Sequence, residues 1–165
     1  MEIINEQNNF FSLVRQLFGN HIFLTTIISF ASSQILKSIL CLFSGRKTNK
    51  DALAALVWST GGMPSSHSAL VASMAVSTAL FEGIGSTIFV IALFLAFIVI
   101  RDALGVRRAA GMHAKALNEL GRNTSAKFGF EWRLVKEIQG HTPLEVTAGS
   151  MLGIVIAVIV WSIVK

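Results

Sequence analysis

Two short polar segments of the chain each carry a histidine at a predicted helix start. Residues 61–67 read Gly-Gly-Met-Pro-Ser-Ser-His, and residues 140–145 read Gly-His-Thr-Pro-Leu-Glu. Proline is favoured in the first helical turn, and serine or threonine caps the amides of that turn. Unpaired N–H groups at a helix start, together with the helix dipole, bind anions. We therefore expect two histidines that are far apart in the chain to share one anion-binding site.

In the first segment, the paired glycines permit a tight backbone turn before the helix. Ser65 and Ser66 can cap the amides that follow them. His67 then lies in the first turn, beside any anion that the amides bind. The alternative is an ordinary helix cap with an incidental histidine, and the spacing alone does not separate these two interpretations.

In the second segment, Thr142, Pro143 and Glu145 fit the capping box of a helix start. Glu145 also lies four residues after His141 and could accept a hydrogen bond from its imidazole. That bond would fix the tautomer and leave the other ring nitrogen as a nucleophile. One carboxylate is not expected to cap the helix and to hold the imidazole at the same time, so both interpretations stay open.

A site for phosphoryl transfer also needs cations, because negative charge lies on the phosphate oxygens in the transition state. Lys37 is the most suggestive candidate, since it lies inside an apolar segment where a charge is expensive. Alternatively, its ammonium group snorkels to the membrane interface. Asp102 could pair with Lys37, form a salt bridge within its own loop or orient an arginine. The other candidate cations are Arg46, Arg101, Arg107 and Arg108.

The composition is typical of a membrane protein. Of the 165 residues, 53% are hydrophobic and 14% are charged, whereas soluble domains carry about 25% charged residues. Apolar stretches lie at about 22–43, 66–81, 86–100 and 146–164. We expect one all-α domain over residues 1–165, an integral membrane bundle of about four transmembrane helices with short interfacial helices. The second and third stretches should form a helical hairpin.

The segments between these stretches carry further predictions. Residues 9–18 should form an amphipathic helix on the membrane surface, and residues 51–60 an interfacial or re-entrant helix. Residues 101–122 should be helical, with a basic side chain every seven residues along one stripe. Glycines at both ends of residues 121–129 predict a helix break, and residues 130–139 a further short amphipathic helix.

The net charge of +5 is concentrated in two loops. One follows the first apolar stretch and the other follows the third, so four crossings place both loops on one side of the membrane. Positive residues stay cytoplasmic, and we therefore expect both loops, and the site, at the cytoplasmic side of a multi-pass protein. Nucleic-acid binding is a poor fit, because the basic residues flank membrane helices and no known module is visible.

The remaining chemistry-bearing residues predict little. His21 and His113 fit interfacial and helix-surface positions better than catalytic ones. The single cysteine, Cys41, forms no disulfide within the chain, and no Cys/His cluster predicts a metal site or a cofactor. The amino-terminal sequence MEIINEQNN lacks a basic leader, so no cleavable signal peptide is expected.

Three stretches taken together resemble the divergent PAP2 family, the membrane branch related to acid phosphatases and vanadium-dependent haloperoxidases. They are residues 61–70, 102–111 and 140–146, and the resemblance extends from about Thr26 to Val164. It implies a PAP2-like fold. In the wider PAP2 superfamily, a Pro-Ser-Gly-His segment supplies anion-binding amides and a histidine acid. The resemblance gives these roles to Ser65, Ser66 and His67.

The resemblance also implies a mechanism. A histidine with a carboxylate four residues later supplies the nucleophile and the group that orients it, which correspond to His141 and Glu145. The intermediate would be a phosphohistidine, hydrolysed by water without a metal.

The chain departs from the superfamily pattern at several positions. Ser66 stands where glycine is usual, and Glu145 where aspartate is usual. The Lys-x6-Arg-Pro phosphate motif is absent, since Lys37 and Arg46 are nine residues apart with no proline following. The usual Ser-Arg pair before the nucleophile is absent too, and Val135 stands at that place.

We accordingly expect a membrane phosphatase that acts on a lipid-linked monophosphate or diphosphate, an amphiphilic substrate within the surrounding membrane lipids. His141 would attack phosphorus, Glu145 would orient it and His67 would protonate the leaving oxygen. The expected phosphate-binding residues are Ser65, Ser66, Arg107, Arg108, Lys37 and Asp102. One alternative is a lipid-phosphate binder, carrier or scaffold without turnover. Another is a hydrolase that uses a serine nucleophile, Ser65 or Ser66, with His141. The oligomeric state stays open.

Overall fold

The protein is a bundle of α-helices. The computed structural model describes residues 2–43, 62–137 and 140–165, which contain helices and connecting segments without a β-strand. This confirms the predicted all-α class. Arg46 and the predicted helix at 51–60 lie outside the described residues. The helices are α1 Glu2–Gly19, α2 His21–Phe43, α3 Ser66–Glu82, α4 Thr87–Leu104, α5 Val106–Phe128 and α6 Pro143–Val164.

The polarity of the bundle is the reverse of that of a soluble protein. Its largest fully buried side chains are serines and threonines, while large apolar side chains such as Phe97 and Ile98 are exposed. Lipid solvates exposed apolar side chains, and small residues inside let helices approach closely. This distribution supports a helical bundle embedded in a membrane. The largest fully buried side chains among the described residues are Thr25, Ser29, Ser33, Ser65, Ser68, Ser73, Ser77 and Thr78.

Three helical segments of the described chain are long and apolar enough to cross a membrane: α2, α6 and the segment Thr87–Phe128 that contains α4 and α5. The sequence predicts about four crossings. The difference is α3, whose 17 residues extend about 26 Å, less than about 30 Å of hydrocarbon. This short helix is central, since it contacts α2, α4 and α6.

Helices α3 and α6 pack backbone to backbone. A Cβ atom on Gly149 would overlap the carbonyl oxygen of Ser65, and one on Gly153 would overlap the carbonyl oxygen of Ala69. Ala157, one further turn along α6, is fully buried. Small residues at every fourth position form the close-packing motif of membrane helices. This contact brings the first turn of α3 against the first turns of α6.

Helix α2 contributes a polar inner face. The Ser29 hydroxyl donates across the interface to the carbonyl oxygen of Ala69 (3.1 Å). Other hydroxyls on this face donate to carbonyl oxygens of their own helix, as Ser33 does to Phe30. Because the hydroxyls are satisfied in this way, α2 can present a polar face to the interior without an unpaired donor at these positions.

The predicted hairpin and amphipathic amino-terminal helix are present. α3 and α4 contact each other and are joined by a short turn, in which Gly83 adopts a positive φ of 86°. Ser86 caps α4 by accepting from the amide of Phe89 (3.2 Å). The amphipathic helix predicted at 9–18 is part of α1, which is longer and ends before Asn20.

The helix break predicted at residues 121–129 is confirmed only at its last residue, since Gly129 ends the helix while Gly121 stays helical. The chain breaks earlier, at Gly105, and α5 continues to Phe128 before Gly129 ends it in a left-handed conformation (φ 73°). Gly121 serves a different purpose, because the Trp132 ring lies where its Cβ would be. Glycine permits either a break or a close approach, and Gly121 provides a close approach for Trp132.

The short helix predicted at residues 130–139 is also absent from its described part. Residues 130–137 are extended along α5 without helical structure. Asn118 of α5 holds this segment: its side chain accepts from the amide of Val135 (2.8 Å) and donates to the carbonyl oxygen of the same residue (2.8 Å). These bonds to Asn118 replace the helical bonds that the amphipathic pattern predicted.

Candidate active site at one end of the bundle

The two histidine-bearing segments meet at one end of the bundle. The amide of Ser65 donates to the carbonyl oxygen of Glu145 (3.0 Å), and the Gly149 backbone packs on Ser65. The starts of α3 and α6 are therefore joined directly, although about 80 residues separate them in the chain. The carboxyl-terminal half of α2 and the end of α4 complete this end of the bundle.

His141 is buried, with 4% of its surface exposed. Its Nδ1 lies 3.2 Å from Oε2 of Glu145. A carboxylate only accepts hydrogen bonds, so Nδ1 carries the proton in this bond and Nε2 retains its lone pair. The arrangement prepares Nε2 for nucleophilic attack.

The same carboxylate oxygen also caps the helix. Oε2 of Glu145 accepts from the amide of Thr142 (3.0 Å), while the amide of Glu145 donates to the Thr142 hydroxyl (3.3 Å). From the sequence, the capping box and the histidine pair are expected to be competing uses of Glu145. That expectation is wrong, because one oxygen with two lone pairs accepts both bonds. The helix cap thus also orients the imidazole.

Lys37 of α2 is buried, with 4% of its surface exposed. Its stem passes Gly62, whose Cβ position would lie 3.9 Å from Cγ and Cδ of the lysine. Gly62 has a φ of 96°, which other residues rarely adopt. Among the described residues, the carboxylate of Glu145 acts electrostatically on the ammonium group. The side chain is therefore enclosed by protein, contrary to the snorkelling alternative.

His67 lies in the first turn of α3 and is exposed. The groups that act electrostatically on its ring are Arg107, His141, Lys37 and Asp102. The structure thus brings both histidines, the buried lysine and one arginine into a single electrostatic environment. Two of the four groups, Arg107 and Lys37, are cations that favour an anion near the ring.

Ser65 and Ser66 are both buried at the start of α3. The Ser65 hydroxyl accepts from the Ser68 amide (3.4 Å) and the Ser68 hydroxyl (3.0 Å), so it is the helix cap. A capping, fully buried hydroxyl is poorly placed as a nucleophile, which weighs against the serine-hydrolase alternative. The amides of Ser66 and His67 have no acceptor among the described residues, and such amides bind anions.

Asp102 pairs with an arginine. Nε of Arg107 donates to Oδ2 of Asp102 at 2.6 Å, and both side chains are partly exposed. Of the three partners considered from the sequence, the structure thus selects the arginine. The Arg108 side chain is also exposed, and its backbone packs against Gly140, where a Cβ would overlap it. That contact fixes the start of α5 beside the residue that precedes His141.

The described part of the site contains neither a cluster of metal ligands nor the Ser-Arg pair usual in the PAP2 superfamily. Within the described ranges, no group of three or more His, Cys, Asp or Glu side chains could hold a metal ion. Val135, at the place of the usual Ser-Arg pair, is held to Asn118 through its backbone. Among the residues that the structure describes, the cations of the site come from α2 and the start of α5.

Sequence reasoning missed the glycines that assemble the site. Gly149 and Gly153 position α6 on α3, Gly140 gives room to Arg108, and Gly62 adopts a positive φ beside Lys37. The signal for the first pair was visible as Gly-x-x-x-Gly at residues 149–153 in an apolar helix. No comparable spacing marks the other two glycines, which depend on contacts between distant segments.

The chain matches one protein family and one individual relative. The sequence profile of the "Divergent PAP2 family" matches residues 18–156. The "Uncharacterized membrane protein YuiD" of Bacillus subtilis (strain 168) is 33% identical over 155 residues, which cover 87% of this chain and 96% of that relative. No solved structure matches the chain significantly. The extent of both matches establishes that the chain belongs to the divergent PAP2 family.

Proposed function

We propose that this protein is an integral membrane phosphatase that hydrolyses a lipid-linked phosphate through a phosphohistidine intermediate. The observation that carries the proposal is the buried His141–Glu145 pair at a helix start that is bonded directly to the start of α3. A buried imidazole whose Nδ1 is fixed by a carboxylate has its Nε2 available as a nucleophile. Membership of the divergent PAP2 family is consistent with this chemistry.

In the first step, Nε2 of His141 attacks phosphorus and the bond from phosphorus to the leaving oxygen breaks. The leaving oxygen takes a proton from His67, and the lipid alcohol departs. The imidazolium that forms on His141 is stabilised by Glu145. Amides at the start of α3, together with Lys37 and Arg107, stabilise the negative charge on the phosphate oxygens.

In the second step, water attacks phosphorus of the phosphohistidine. His67, now neutral, accepts a proton from that water, and the N–P bond breaks to release inorganic phosphate. His67 is then protonated and His141 is neutral, so both residues return to their starting states. The exposure of His67 supports this exchange, because water and the leaving alcohol must both reach its ring.

A lipid substrate agrees with the position of the site. The site lies at the end of a bundle whose outer surface is apolar, so a hydrocarbon chain can stay in the bilayer while its phosphate meets the cations. The basic residues of the loops at this end favour the cytoplasmic side. Amphiphilic phosphates therefore reach the site without leaving the membrane.

The direct test uses purified protein in detergent with phosphatidate as substrate. We expect release of inorganic phosphate, inhibition by vanadate and an acid-labile phosphorylated protein in rapid-quench experiments. His141→Ala should remove both the release and the phosphorylation. Equal turnover by His141→Ala and the unmodified protein would reject the mechanism.

A second function, lipid-phosphate binding without turnover, is favoured by one observation. Arg107 is already engaged by Asp102 at 2.6 Å, and the arginine motifs usual in the PAP2 superfamily are absent. A binder of this kind would retain phosphatidate on the purified protein but would form no phosphohistidine. The rapid-quench experiment separates the two functions.

A further inference from the structure

A groove lies where α4 ends and α5 begins. Its volume is about 890 Å³, and it is lined by apolar side chains with one charged residue, Arg101. Phe97 of α4 and Val106 of α5 are exposed in it. Arg101 is also exposed, and its guanidinium forms no ion pair within the described part of the chain. The groove thus combines a hydrocarbon-like wall with a cation.

The groove adjoins the candidate site along the chain. Ala109, which lines it, directly follows Arg108, whose backbone packs on Gly140 beside His141. Val106 directly precedes Arg107, which pairs with Asp102 and acts on His67. The groove and the cations of the site thus share the start of α5.

We infer that this groove holds a hydrocarbon chain of the lipid phosphate substrate, with Arg101 attracting the headgroup on its way to His141. The inference rests on the proposed function and assigns a chain-binding subsite to it. The apolar wall fits an acyl chain, the arginine fits an anionic headgroup, and the continuity with Arg107 and Gly140 fits a phosphate near both. A lipid with a neutral headgroup would lack the attraction between Arg101 and an anionic headgroup.

The first test fills the groove. Ala109→Trp should lower kcat/KM for dipalmitoyl phosphatidate about tenfold more than for dihexanoyl phosphatidate, because losing two buried methylene groups already corresponds to about that factor. Ala110→Trp is the matched control, since Ala110 is exposed and does not line the groove. An equal loss for both substrates, or an Ala110→Trp effect as large as that of Ala109→Trp, would overturn the inference.

The second test concerns Arg101. Arg101→Gln should raise KM for dipalmitoyl phosphatidate about fivefold while kcat changes little, because a cation outside the reacting centre contributes mainly to binding. Arg122→Gln is the control, since Arg122 lies on the same predicted stripe but far from the groove. A loss confined to kcat, or the same change in both variants, would contradict the assigned role.

A binding test keeps this inference separate from the phosphatase proposal. A phosphatidate with a diazirine at the end of one acyl chain is photolysed on the His141→Ala protein, which turns nothing over. We expect label within residues 97–109 and little label from the matching phosphatidylcholine probe. Label elsewhere, or equal label from both probes, would overturn the groove inference whether or not the unmodified protein hydrolyses lipid phosphates. If the label lies in the groove but the unmodified protein does not hydrolyse lipid phosphates, only the phosphatase proposal is rejected.

Discussion

The starts of α3 and α6 follow the same local plan but place their histidines differently. Both begin with a hydroxyl cap, Ser65 and Thr142 respectively. In α6 the histidine precedes the cap and the third helical residue is Glu145, so the imidazole and the carboxylate meet. In α3 the histidine follows the cap, the third helical residue is Ser68, and His67 is exposed.

This comparison separates the roles of the two histidines. A buried imidazole fixed by a carboxylate is suited to attack phosphorus, because its geometry and tautomer are set in advance. An exposed imidazole among charged groups is suited to exchange protons with the leaving group and with water. The position of a histidine relative to the helix cap, rather than its presence, thus decides what it can do.

The largest expected effect comes from exchanging each histidine for alanine. His141→Ala should reduce turnover of every phosphate ester below detection, because no nucleophile remains. His67→Ala should reduce turnover of phosphatidate by about 10²–10⁴-fold, the usual contribution of a general acid. The leaving group of 4-nitrophenyl phosphate needs no proton, so the turnover of this substrate should fall much less in His67→Ala. A similar loss with both substrates would contradict the role of His67.

Glu145 offers the next largest effect, since it is both the helix cap and the partner of His141. Glu145→Gln keeps an acceptor oxygen for the Thr142 amide but removes the charge that stabilises the imidazolium. We expect about a 10²–10⁴-fold loss of kcat, with a thermal midpoint close to that of the unmodified protein. Glu145→Ala should lose activity to the same degree and also about 0.5–2 kcal/mol of stability.

Thermal unfolding in detergent and steady-state kinetics on these two variants test the shared oxygen directly. The carboxylate would have only a capping role if Glu145→Gln retained full activity. It would have only an orienting role if Glu145→Ala and Glu145→Gln unfolded at the same temperature.

Local patterns predicted the two helix starts well, because a cap and its amides are neighbours in the chain. The capping box of Thr142 and Glu145 and the capping serine at Ser65 are present in the structure. The position of Lys37 could not be predicted in this way. A lysine in an apolar helix can snorkel or be enclosed, and the enclosure of Lys37 involves residues of other segments, such as Gly62.

Helix breaks show the same limit. Gly105 and Gly121 both lie in the long segment after α4, yet the chain breaks at the first and stays helical at the second. At Gly121 the helix continues, and the Trp132 ring of a later segment packs on it. Periodicity and glycine content predict that a helix can end, whereas distant contacts determine where it does.

Gly149 tests whether the two helix starts must touch. Gly149→Ala places a Cβ where the Ser65 carbonyl oxygen lies, and overpacking of this kind costs about 1–3 kcal/mol. We expect a lower unfolding midpoint and a loss of activity, because Ser65 and its neighbouring amides would shift away from His141. Gly85→Ala is the control, since a Cβ there meets open space. Equal midpoints for the two variants would show that the contact is dispensable.

The smallest expected effect concerns Asp102, the group that opposes an anion beside His67. Asp102→Asn removes a negative charge and releases Arg107 from its 2.6 Å pair. The pair is partly exposed, so its loss should change stability by no more than about 1 kcal/mol. Without the Asp102 carboxylate, bound phosphate is no longer repelled by it. A gain of about 1 kcal/mol from this change should lower the inhibition constant of inorganic phosphate about fivefold.

The effect of Asp102→Asn should shrink as salt screens the charges. Glu119→Gln is the matched control, because Glu119 is an exposed carboxylate on α5. If Asp102→Asn instead weakens phosphate inhibition while Glu119→Gln does not, Asp102 positions Arg107 for the phosphate rather than competing with it. The direction in which phosphate inhibition changes therefore decides the role of Asp102. Weaker inhibition would mean that Asp102 holds Arg107 in place, as Glu145 holds His141.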